Sequence, residues 1–260
     1  MKIATFNVNS LKARLPIVEF FLKGGDAPDV VCFQETKCQD KDFPVEFFDA
    51  LGYRCAYRGM KSYNGVAVVS KAEPDDVRFG LGDGADAEQD EARLVTARFG
   101  DVWVVGAYMP QGKSMELPDF QYKLEFFRRV RAMFESRYKP TDKLLWTGDL
   151  NVAPTDIDVT HPENKRSHVC VAQEARDALE GVTSWGLVDV FRKHRPDAGE
   201  FSFWDYRVPK ALERNIGWRI DHLFATEALA KKSRDAYVVR ELRAMERPSD
   251  HTAVVGVFDI

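Results

Sequence analysis

Leu-Leu-Trp-Thr-Gly-Asp-Leu-Asn, residues 144–151, is an apolar run that ends in two polar side chains, Asp149 and Asn151. A short apolar run bounded by turn residues predicts a β-strand that is buried on both faces. Successive side chains of a strand alternate, so Asp149 and Asn151 are expected on the same face at its end. The stretch therefore predicts a sheet covered on both sides, with a carboxylate at the mouth of a buried strand.

Seven other short runs are rich in Val, Ile, Phe or Thr and are bounded by Gly, Asp, Asn or Pro, which predicts further strands. They are residues 3–8, 30–33, 65–70, 94–99, 102–108, 220–225 and 252–258. Several are nearly all apolar, as the central strands of covered sheets are.

Helical spacing of apolar residues marks three other stretches. It is clearest over residues 118–138, where Pro118 suits the first helical turn, and it recurs over 173–179. Residues 11–23 are the third candidate, with Ser10 placed as a cap. Strands with few helices between them predict an α/β protein in which two β-sheets pack together with helices outside.

The composition is that of a folded protein, with 45% apolar and 30% charged residues in a chain of 260. It excludes a disordered chain, a collagen-like chain and a disulfide scaffold. The four cysteines form no CxxC pair, so neither a zinc finger nor a thioredoxin-like redox site is supported. Without a secretory signal or a long apolar stretch, the chain is expected to be a cytoplasmic protein with one domain over residues 1–260.

The net charge of −4 argues against a protein that binds nucleic acid by bulk positive charge. Residues 73–101, however, hold nine of the 41 acidic residues and only three of the 37 basic ones. The rest of the chain therefore has a net charge of +2. We expect residues 73–101 to form a solvated loop with a charged edge.

Polar side chains occur at five strand ends. Glu35 follows residues 30–33, Asn7 lies near the end of the first strand, and Asp250 comes directly before the last. An unpaired carboxylate at the end of a buried strand is costly, and a hard cation such as Mg²⁺ would neutralise it. The candidate oxygen ligands on this argument are Asn7, Glu35, Asp149, Asn151 and Asp250.

This set predicts metal-assisted hydrolysis of a phosphodiester or phosphomonoester. Glu35, with Asp250 and Asn7, would hold the cation. Asp149 would position or deprotonate the attacking water, and Asn151 would orient it. His251 would donate to a phosphate oxygen while Asp221 holds its imidazole in the charged form. No Walker-type glycine loop, serine nucleophile elbow or HExxH motif competes with this interpretation.

Nine stretches in order along the chain resemble exodeoxyribonuclease III and the apurinic/apyrimidinic (AP) endonucleases of the endonuclease/exonuclease/phosphatase superfamily. They are FNVNS (6–10), FQETK (33–37), YNGVA (63–67), AYMPQG (107–112), GDLN (148–151), SWGLVD (184–189), FWDYR (203–207), GWRID (217–221) and PSDH (248–251). The resemblance implies a four-layered α/β sandwich. It also implies a Mg²⁺ enzyme, with Mn²⁺ as a substitute, that incises DNA on the 5′ side of abasic sites. Clearing of blocked 3′ ends and 3′→5′ exonuclease activity are implied as well.

The resemblance also assigns roles residue by residue. Glu35 and Asp250 correspond to metal ligands with Asn7 close by, and Asp149 to the general acid/base and a second ligand. Asn151 corresponds to a transition-state stabiliser, Tyr108 to the active-site tyrosine and Asp221 to the partner of the phosphate-contacting His251. The residues expected around the metal are Asn7, Glu35, Asp149, Asn151, Asp250 and His251.

The implied substrate is double-stranded DNA with abasic sites or blocked 3′ ends, bound by a monomer working on the nucleoid. Phe203 and Trp218 are expected against the flipped-out abasic sugar, where an apolar pocket would admit only a nucleotide without a base. Trp204 belongs to the same aromatic segment, although core packing explains such a residue equally well. Gln111 is expected to touch the substrate. Eight basic residues in or beside these stretches are expected to contact backbone phosphates: Arg207, Lys210, Arg214, Arg219, Lys37, Arg58, Lys61 and Lys113.

One segment departs from the family pattern, because Cys170 occupies a position where many relatives have Gly. If this loop borders the sugar pocket, the extra bulk alters the balance between AP incision and 3′-end processing. Two other functions are weighed: a non-catalytic nucleic-acid-binding regulator of the same fold, and a phosphodiesterase with an inositol-phosphate or sphingomyelin substrate. The presence of every expected ligand disfavours the regulator, and the segments around Trp204 and Trp218 favour DNA.

Overall fold

The computed structural model describes the backbone of residues 1–260 and every side chain except that of Glu88. The strands of this described part are β1 (Lys2–Asn7), β2 (Val30–Gln34), β3 (Arg54–Arg58), β4 (Val66–Ser70), β5 (Asp76–Phe79), β6 (Leu94–Phe99), β7 (Val102–Tyr108), β8 (Lys143–Asp149), β9 (Leu187–Asp189), β10 (Asp221–Thr226), β11 (Ser233–Val238) and β12 (Val254–Phe258). Its helices are α1 (Leu15–Lys23), α2 (Val45–Ala50), α3 (Glu88–Glu91), α4 (Pro118–Arg137), α5 (Gln173–Thr183), α6 (Val190–His194), α7 (Glu227–Ala230) and α8 (Arg240–Ala244).

The strands form two mixed six-stranded sheets. The first has the order β11-β12-β1-β2-β4-β3, and the second has the order β5-β6-β7-β8-β10-β9. Each sheet has one parallel pair at its centre, β1 with β2 and β7 with β8, and the other neighbours are antiparallel. The two strands of a parallel pair end on the same side of the sheet. The last residues of β1 and β2 therefore lie side by side, and so do those of β7 and β8.

The two sheets pack face to face and are covered outside by helices. Ile3 and Val68 of the first sheet share one core with Val104 and Leu223 of the second. A second core joins the outer face of the second sheet to α4 and α5, and a third joins the outer face of the first to α1, α2 and α8. The predicted four-layered α/β sandwich is confirmed. The assignment of residues 1–260 to one domain stays a prediction, which the core between the sheets supports.

The eight strands predicted from the sequence are all present. The four that the sequence analysis missed, β3, β5, β9 and β11, are the four edge strands of the two sheets. An edge strand is partly solvated, so its polar residues hide the continuous apolar run that marks a central strand.

The helix predicted over residues 118–138 matches α4, and the helix predicted over 173–179 continues to Thr183. The prediction that Ser10 caps the first helix is wrong. A short 3₁₀ turn precedes α1, which begins at Leu15 after the N-cap residue Arg14 and has a proline in its first turn. Among the described helices, none is both long and apolar enough to cross a membrane.

The prediction of a loop over residues 73–101 is wrong in part, because this segment contains β5 and α3 as well as the predicted strand β6. Each of its eight described acidic side chains lies within 4.0 Å of an Arg or Lys nitrogen. The pairs are Glu73–Arg54, Asp75–Arg98, Asp76–Arg78, Asp83–Arg129, Asp86–Arg129, Asp90–Arg129, Glu91–Arg58 and Asp101–Lys143. The side chain of the ninth acidic residue, Glu88, lies outside the described residues. Three of these carboxylates share Arg129, so six cations offset most of the acidity of the segment locally.

Gly148 is the point of closest approach between β7 and β8. Its φ is +144°, and a Cβ there would lie 1.8 Å from the Ala107 carbonyl oxygen. We expect Gly148→Ala to lower the free energy of unfolding by more than about 4 kcal/mol, as measured by urea unfolding. The control is Gly181→Ala in α5, where the added Cβ meets no described atom within 4 Å and where alanine should stabilise the helix by about 0.5–1 kcal/mol. Equal unfolding midpoints for the two variants would contradict this geometry.

Candidate active site

The two central parallel pairs bring their carboxyl ends together. β1 ends at Asn7, β7 at Tyr108 and β8 at Asp149, while Glu35 follows directly after β2. β10 runs antiparallel to β8, and its first residue, Asp221, is the register partner of Asp149. Five strand ends are thus built into one corner between the sheets, and four of them carry polar residues predicted from the strand pattern.

Asn7 links the two sheets at this corner. Its side-chain amide donates to Glu35 Oε1 and to Asp149 Oδ2, both at 2.9 Å. The other Glu35 oxygen, Oε2, lies 2.8 Å from Lys37 Nζ, which also donates to Asn9 Oδ1. The amide oxygen and nitrogen of Asn7 are therefore both held, since Asn7 Oδ1 accepts from the Asn9 backbone N–H.

The turns that carry these residues are conformationally strained. Asn9, Glu35, Lys37 and Asn151 all have a positive φ, between 43° and 54°. Such a conformation is uncommon for residues other than glycine and concentrates at functional sites. The sequence places an acid and a lysine there rather than glycines, which indicates that their side chains are needed.

His251 and Asp221 form a buried pair. His251 Nδ1 lies 2.9 Å from Asp221 Oδ2, and the same oxygen accepts a hydrogen bond from Ser202 Oγ at 2.6 Å. The other ring nitrogen, Nε2, lies 3.7 Å from Asp149 Oδ2. With Asp221 at Nδ1, the imidazole is held so that Nε2 points toward Asp149 and the cavity.

The charged groups in this cluster shift one another's pKa values. Burial alone lowers the pKa of His251, but the negative charges of Asp221 and Asp149 outweigh it and raise the pKa to about 10. Burial raises the pKa of Asp149 to about 7, against the opposing charge of His251. His251 is therefore a cation at neutral pH, while Asp149 is an acid that can exchange a proton there.

The pKa values of two further groups, Glu35 and Tyr108, are shifted by burial and by neighbouring residues. Burial raises the pKa of Glu35, yet Lys37 and Asn7 outweigh it, so the net shift is downward and the carboxylate stays charged. Burial, with the charges of Glu35 and Asp149, raises the pKa of Tyr108 well above its usual value. Tyr108 therefore keeps its phenolic proton and can donate a hydrogen bond.

Asn151 occupies the turn that leaves β8. Its side-chain amide donates to the Met109 carbonyl at 3.0 Å, and its backbone N–H donates to Asp149 Oδ1 at 3.0 Å. The Cys170 Sγ lies 3.9 Å from Asn151 Oδ1. The side chain is thus oriented by protein contacts before any substrate arrives.

A cavity of about 240 Å³ opens beside these residues. One part of its wall is polar and comprises Glu35, Tyr108, Gln111, Asp149, Asn151, Asp205, Arg207, Asp250 and His251; the other part comprises Phe203, Ile220, Trp218, His168 and Cys170. Phe203 pairs through its backbone with both Trp218 and His251, and its ring lies 4.8 Å from the His251 ring. The apolar wall therefore adjoins the reactive cluster directly.

Most of the predicted site residues meet here, and two predictions are wrong. Trp204 is buried in a separate small cluster with Phe201 and Ala211, because its ring faces inward and its indole N–H donates to Asn215. Arg219 does not reach a phosphate position. It is 1% exposed and bound to Asp158 and Asp189, so it supports the segment that carries Trp218 from behind.

His168 is the wall residue that the sequence analysis missed. Its ring lies 4.5 Å from the Trp218 ring, centroid to centroid. Burial, with the charges of Lys123 and Lys165, lowers its pKa to about 4, so the imidazole is neutral at neutral pH. The departure noted at Cys170 pointed to the correct loop, but the side chain that faces Trp218 lies two positions earlier.

The oxygen groups at this corner suit a hard cation. Glu35, Asp149 and Asp250 supply carboxylates on one cavity wall, whereas Asn7 turns its NH₂ group toward Glu35 and Asp149 and its amide oxygen toward the Asn9 N–H. Among the described side chains, Asp149, Asp221 and His251 also place ligand atoms within 4.8 Å of one another. His251 and Asp221 already bond to each other, however, so the carboxylates on the Glu35 side are the better ligands.

Two packed mixed sheets, with a buried His–Asp pair and a set of carboxylates at the strand ends, define a hydrolase of phosphate esters. The chain belongs to the Endonuclease/Exonuclease/phosphatase family, whose model matches residues 4–251. This family is metal-dependent. The family resemblance found in the sequence is confirmed.

Named relatives narrow the class. Exodeoxyribonuclease III of Haemophilus influenzae is 34% identical over 270 residues, covering 99% of this chain and all of the relative. An AP endonuclease from Archaeoglobus fulgidus has a structure with a TM-score of 0.96 at 42% identity, and a 3′ phosphatase from Neisseria bound to product DNA hairpin gives 0.93 at 36%, each covering 100% of both chains. The chain is a hydrolase of the nuclease class that serves DNA repair.

Proposed function

We propose that this DNA-repair nuclease uses Mg²⁺, with Mn²⁺ as a substitute, to cleave duplex DNA on the 5′ side of abasic sites and to clear blocked 3′ ends. It would also act as a 3′→5′ exonuclease, as a monomer on the nucleoid. One observation carries the proposal: Asp149, the His251–Asp221 pair and the Asn7–Glu35 pair meet beside an aromatic cavity. The AP endonuclease and 3′ phosphatase among the similar structures support both activities, and the origin of all these residues in one chain supports a monomer.

Glu35 and Asp250 are proposed to hold the cation, with Asn7 and Asp149 close by. When bound, Mg²⁺ supplies positive charge that stabilises the phosphate oxygens as negative charge accumulates. The bond from Lys37 to Glu35 keeps that carboxylate charged and oriented. Asn9 orients Asp250, because its amide donates to Asp250 Oδ1 at 3.0 Å.

Asp149 is proposed to act on the attacking water, and His251 on the phosphate group. Asp149 accepts a proton from the attacking water, a role for which its burial tunes it. His251 carries its positive charge at Nε2 and donates to a non-bridging phosphate oxygen. Asp221 does not touch substrate; it is a positioning residue that keeps the imidazole charged and oriented.

Tyr108 and Asn151 complete the reacting side of the cavity. Tyr108, which keeps its proton, donates a hydrogen bond to the phosphate or leaving oxygen. Asn151 has its amide nitrogen held by the Met109 carbonyl, which leaves its oxygen to orient the water. Asn151 is thus fixed in place in advance, as electrostatic stabilisation of a transition state requires.

The aromatic wall is proposed to select the substrate. Phe203 and Trp218 line a space that an abasic sugar or a 3′-terminal residue can enter. Arg207, exposed at the rim, is placed to contact a backbone phosphate, and Gln111 lines the opposite side. Such contacts position DNA without reading its sequence.

His168 favours 3′-end cleaning over AP incision. The imidazole packs against Trp218 and narrows the space that an extrahelical sugar with phosphates on both sides would need. A terminal 3′ phosphate needs less of that space.

We expect His168→Ala to raise the ratio of abasic-site incision to 3′-phosphate release about tenfold, because removing the ring enlarges the pocket. Both rates are measured on matched duplexes under single-turnover conditions. His161→Ala is the control, since this imidazole is exposed on a neighbouring turn. An unchanged or lowered ratio would show that His168 does not restrict the pocket.

The overall function is tested by incubating the protein with three duplexes, which carry an abasic site, a 3′ phosphate or an undamaged 3′ end, with Mg²⁺ and then with EDTA. We expect metal-dependent incision and phosphate release. Absence of both would refute the proposal, and retained DNA binding in that case would identify a non-catalytic regulator. Faster hydrolysis of an inositol phosphate or sphingomyelin would identify a relative with a different substrate.

A further inference from the structure

Lys123 is a buried cation beneath the cavity. It lies on α4 with none of its surface exposed, and its stem packs so closely against the backbone that a Cβ at Gly112 would lie 3.1 Å from Lys123 Cδ. Among the described side chains, no carboxylate forms an ion pair with it. Burying an ammonium without a counter-charge is costly, and a neutral methionine would fill the same space without that cost.

The ammonium group donates to three backbone carbonyls. These are Asn151 O at 2.8 Å, Val169 O at 2.6 Å and Gln111 O at 3.3 Å. A lysine ammonium has three N–H donors, so all three are used. All three acceptor carbonyls lie in loops outside the helices and strands. Within the described structure, Lys123 is the hydrogen-bond donor to each of them.

The three carbonyls belong to three separate loops beside the cavity. Gln111 lies in the loop after β7, and Asn151 in the turn after β8. Val169 lies between His168 and Cys170, on the wall that faces Trp218. One side chain therefore joins the turn that carries the reacting groups to the loop that shapes the substrate pocket.

We propose that Lys123 is a positioning residue that sets the distance between the reacting groups and the substrate wall. The proposal rests on the proposed function, since it concerns the same site. Without the ammonium, three carbonyls, two of them in buried contacts, lose their donor and the loops separate. Asn151 would then be misplaced relative to a substrate held against Trp218. The rate of the chemical step would therefore fall more than the affinity for substrate.

The test compares Lys123→Met with Phe134→Leu. Phe134 lies on the same helix, eleven residues and about 16 Å further along it, where it packs against Trp146 and Trp185. For Lys123→Met we expect kcat for 3′-phosphate release to fall about tenfold to hundredfold, with KM changed less than about threefold. Hydrogen exchange should rise at residues 165–172 in this variant only.

A kcat within about twofold of the Phe134→Leu value at equal thermal stability would overturn the proposal. Unchanged hydrogen exchange at residues 165–172 would also overturn it. If Lys123→Met does not fold, Lys123→Gln replaces it, because the amide keeps a donor without the charge; the same kcat and exchange criteria then apply. Inactivity of the unmodified protein would instead refute the proposed function, so the two failures are distinguishable.

Discussion

Asp149→Asn is expected to lower kcat about a thousandfold for 3′-phosphate release and for abasic incision. The amide is the same size as the carboxylate and can still accept from the Asn7 side chain or the Asn151 backbone. It cannot accept the proton of the attacking water, and it removes one of the two charges that keep His251 protonated. The rates are measured by rapid quench with enzyme in excess.

Asp101→Asn is the matched control, because this carboxylate is exposed and its partner is Lys143. We expect that control to keep normal activity. Asp149→Asn should unfold at the same or a higher temperature than the unmodified protein, since a crowded, buried charge has been removed. Loss of less than about tenfold in kcat would contradict the role given to Asp149, and a lowered unfolding temperature would attribute the loss to misfolding.

The second large effect is expected from Asp221→Asn, with a loss of kcat of about a hundredfold or more. The carboxylate accepts from His251 Nδ1 and from Ser202 Oγ. Loss of the carboxylate removes a charge that keeps His251 protonated, and an amide that turns its NH₂ toward the imidazole requires an unprotonated Nδ1, which leaves a neutral ring in place of the cation that faces the phosphate. Nitrogen-resolved NMR of the histidine rings reports the tautomer of His251 directly.

Ser202→Ala supplies a graded comparison. It removes one hydrogen bond from Asp221 but leaves the charge and the contact with His251, so we expect a loss of about tenfold or less in kcat. The His251 tautomer should not change in this variant. Equal losses for Asp221→Asn and Ser202→Ala would mean that Asp221 acts only through its packing.

The central strands and the reacting residues were predictable from the sequence for one physical reason. A strand buried on both faces is a continuous apolar run, so a polar residue at its end, such as Asp149 or Glu35, is conspicuous. Topology then brings those ends together. The edge strands, such as β5, carry mixed residues and do not show this contrast.

Burial decided by the tertiary fold was not predictable. Trp204 and Arg219 lie in segments that resemble the family's DNA-contacting stretches, but one ring packs inward and the guanidinium is enclosed by acids. Lys123 lies on a helix whose pattern gives no sign that a lysine is buried. His168 was missed because a single histidine in a loop has no periodic pattern to indicate what it faces.

The pairing of β1 with β12 has a consequence for how the enzyme becomes active. Ser249 Oγ donates to the Asn7 carbonyl across 242 residues of sequence, and this contact joins the strand that ends at Asn7 to the segment that carries Asp250 and His251. A contact so distant in sequence closes a loop that spans nearly the whole chain, at a cost in chain entropy. The reacting corner is therefore complete only when the two ends of the chain have paired.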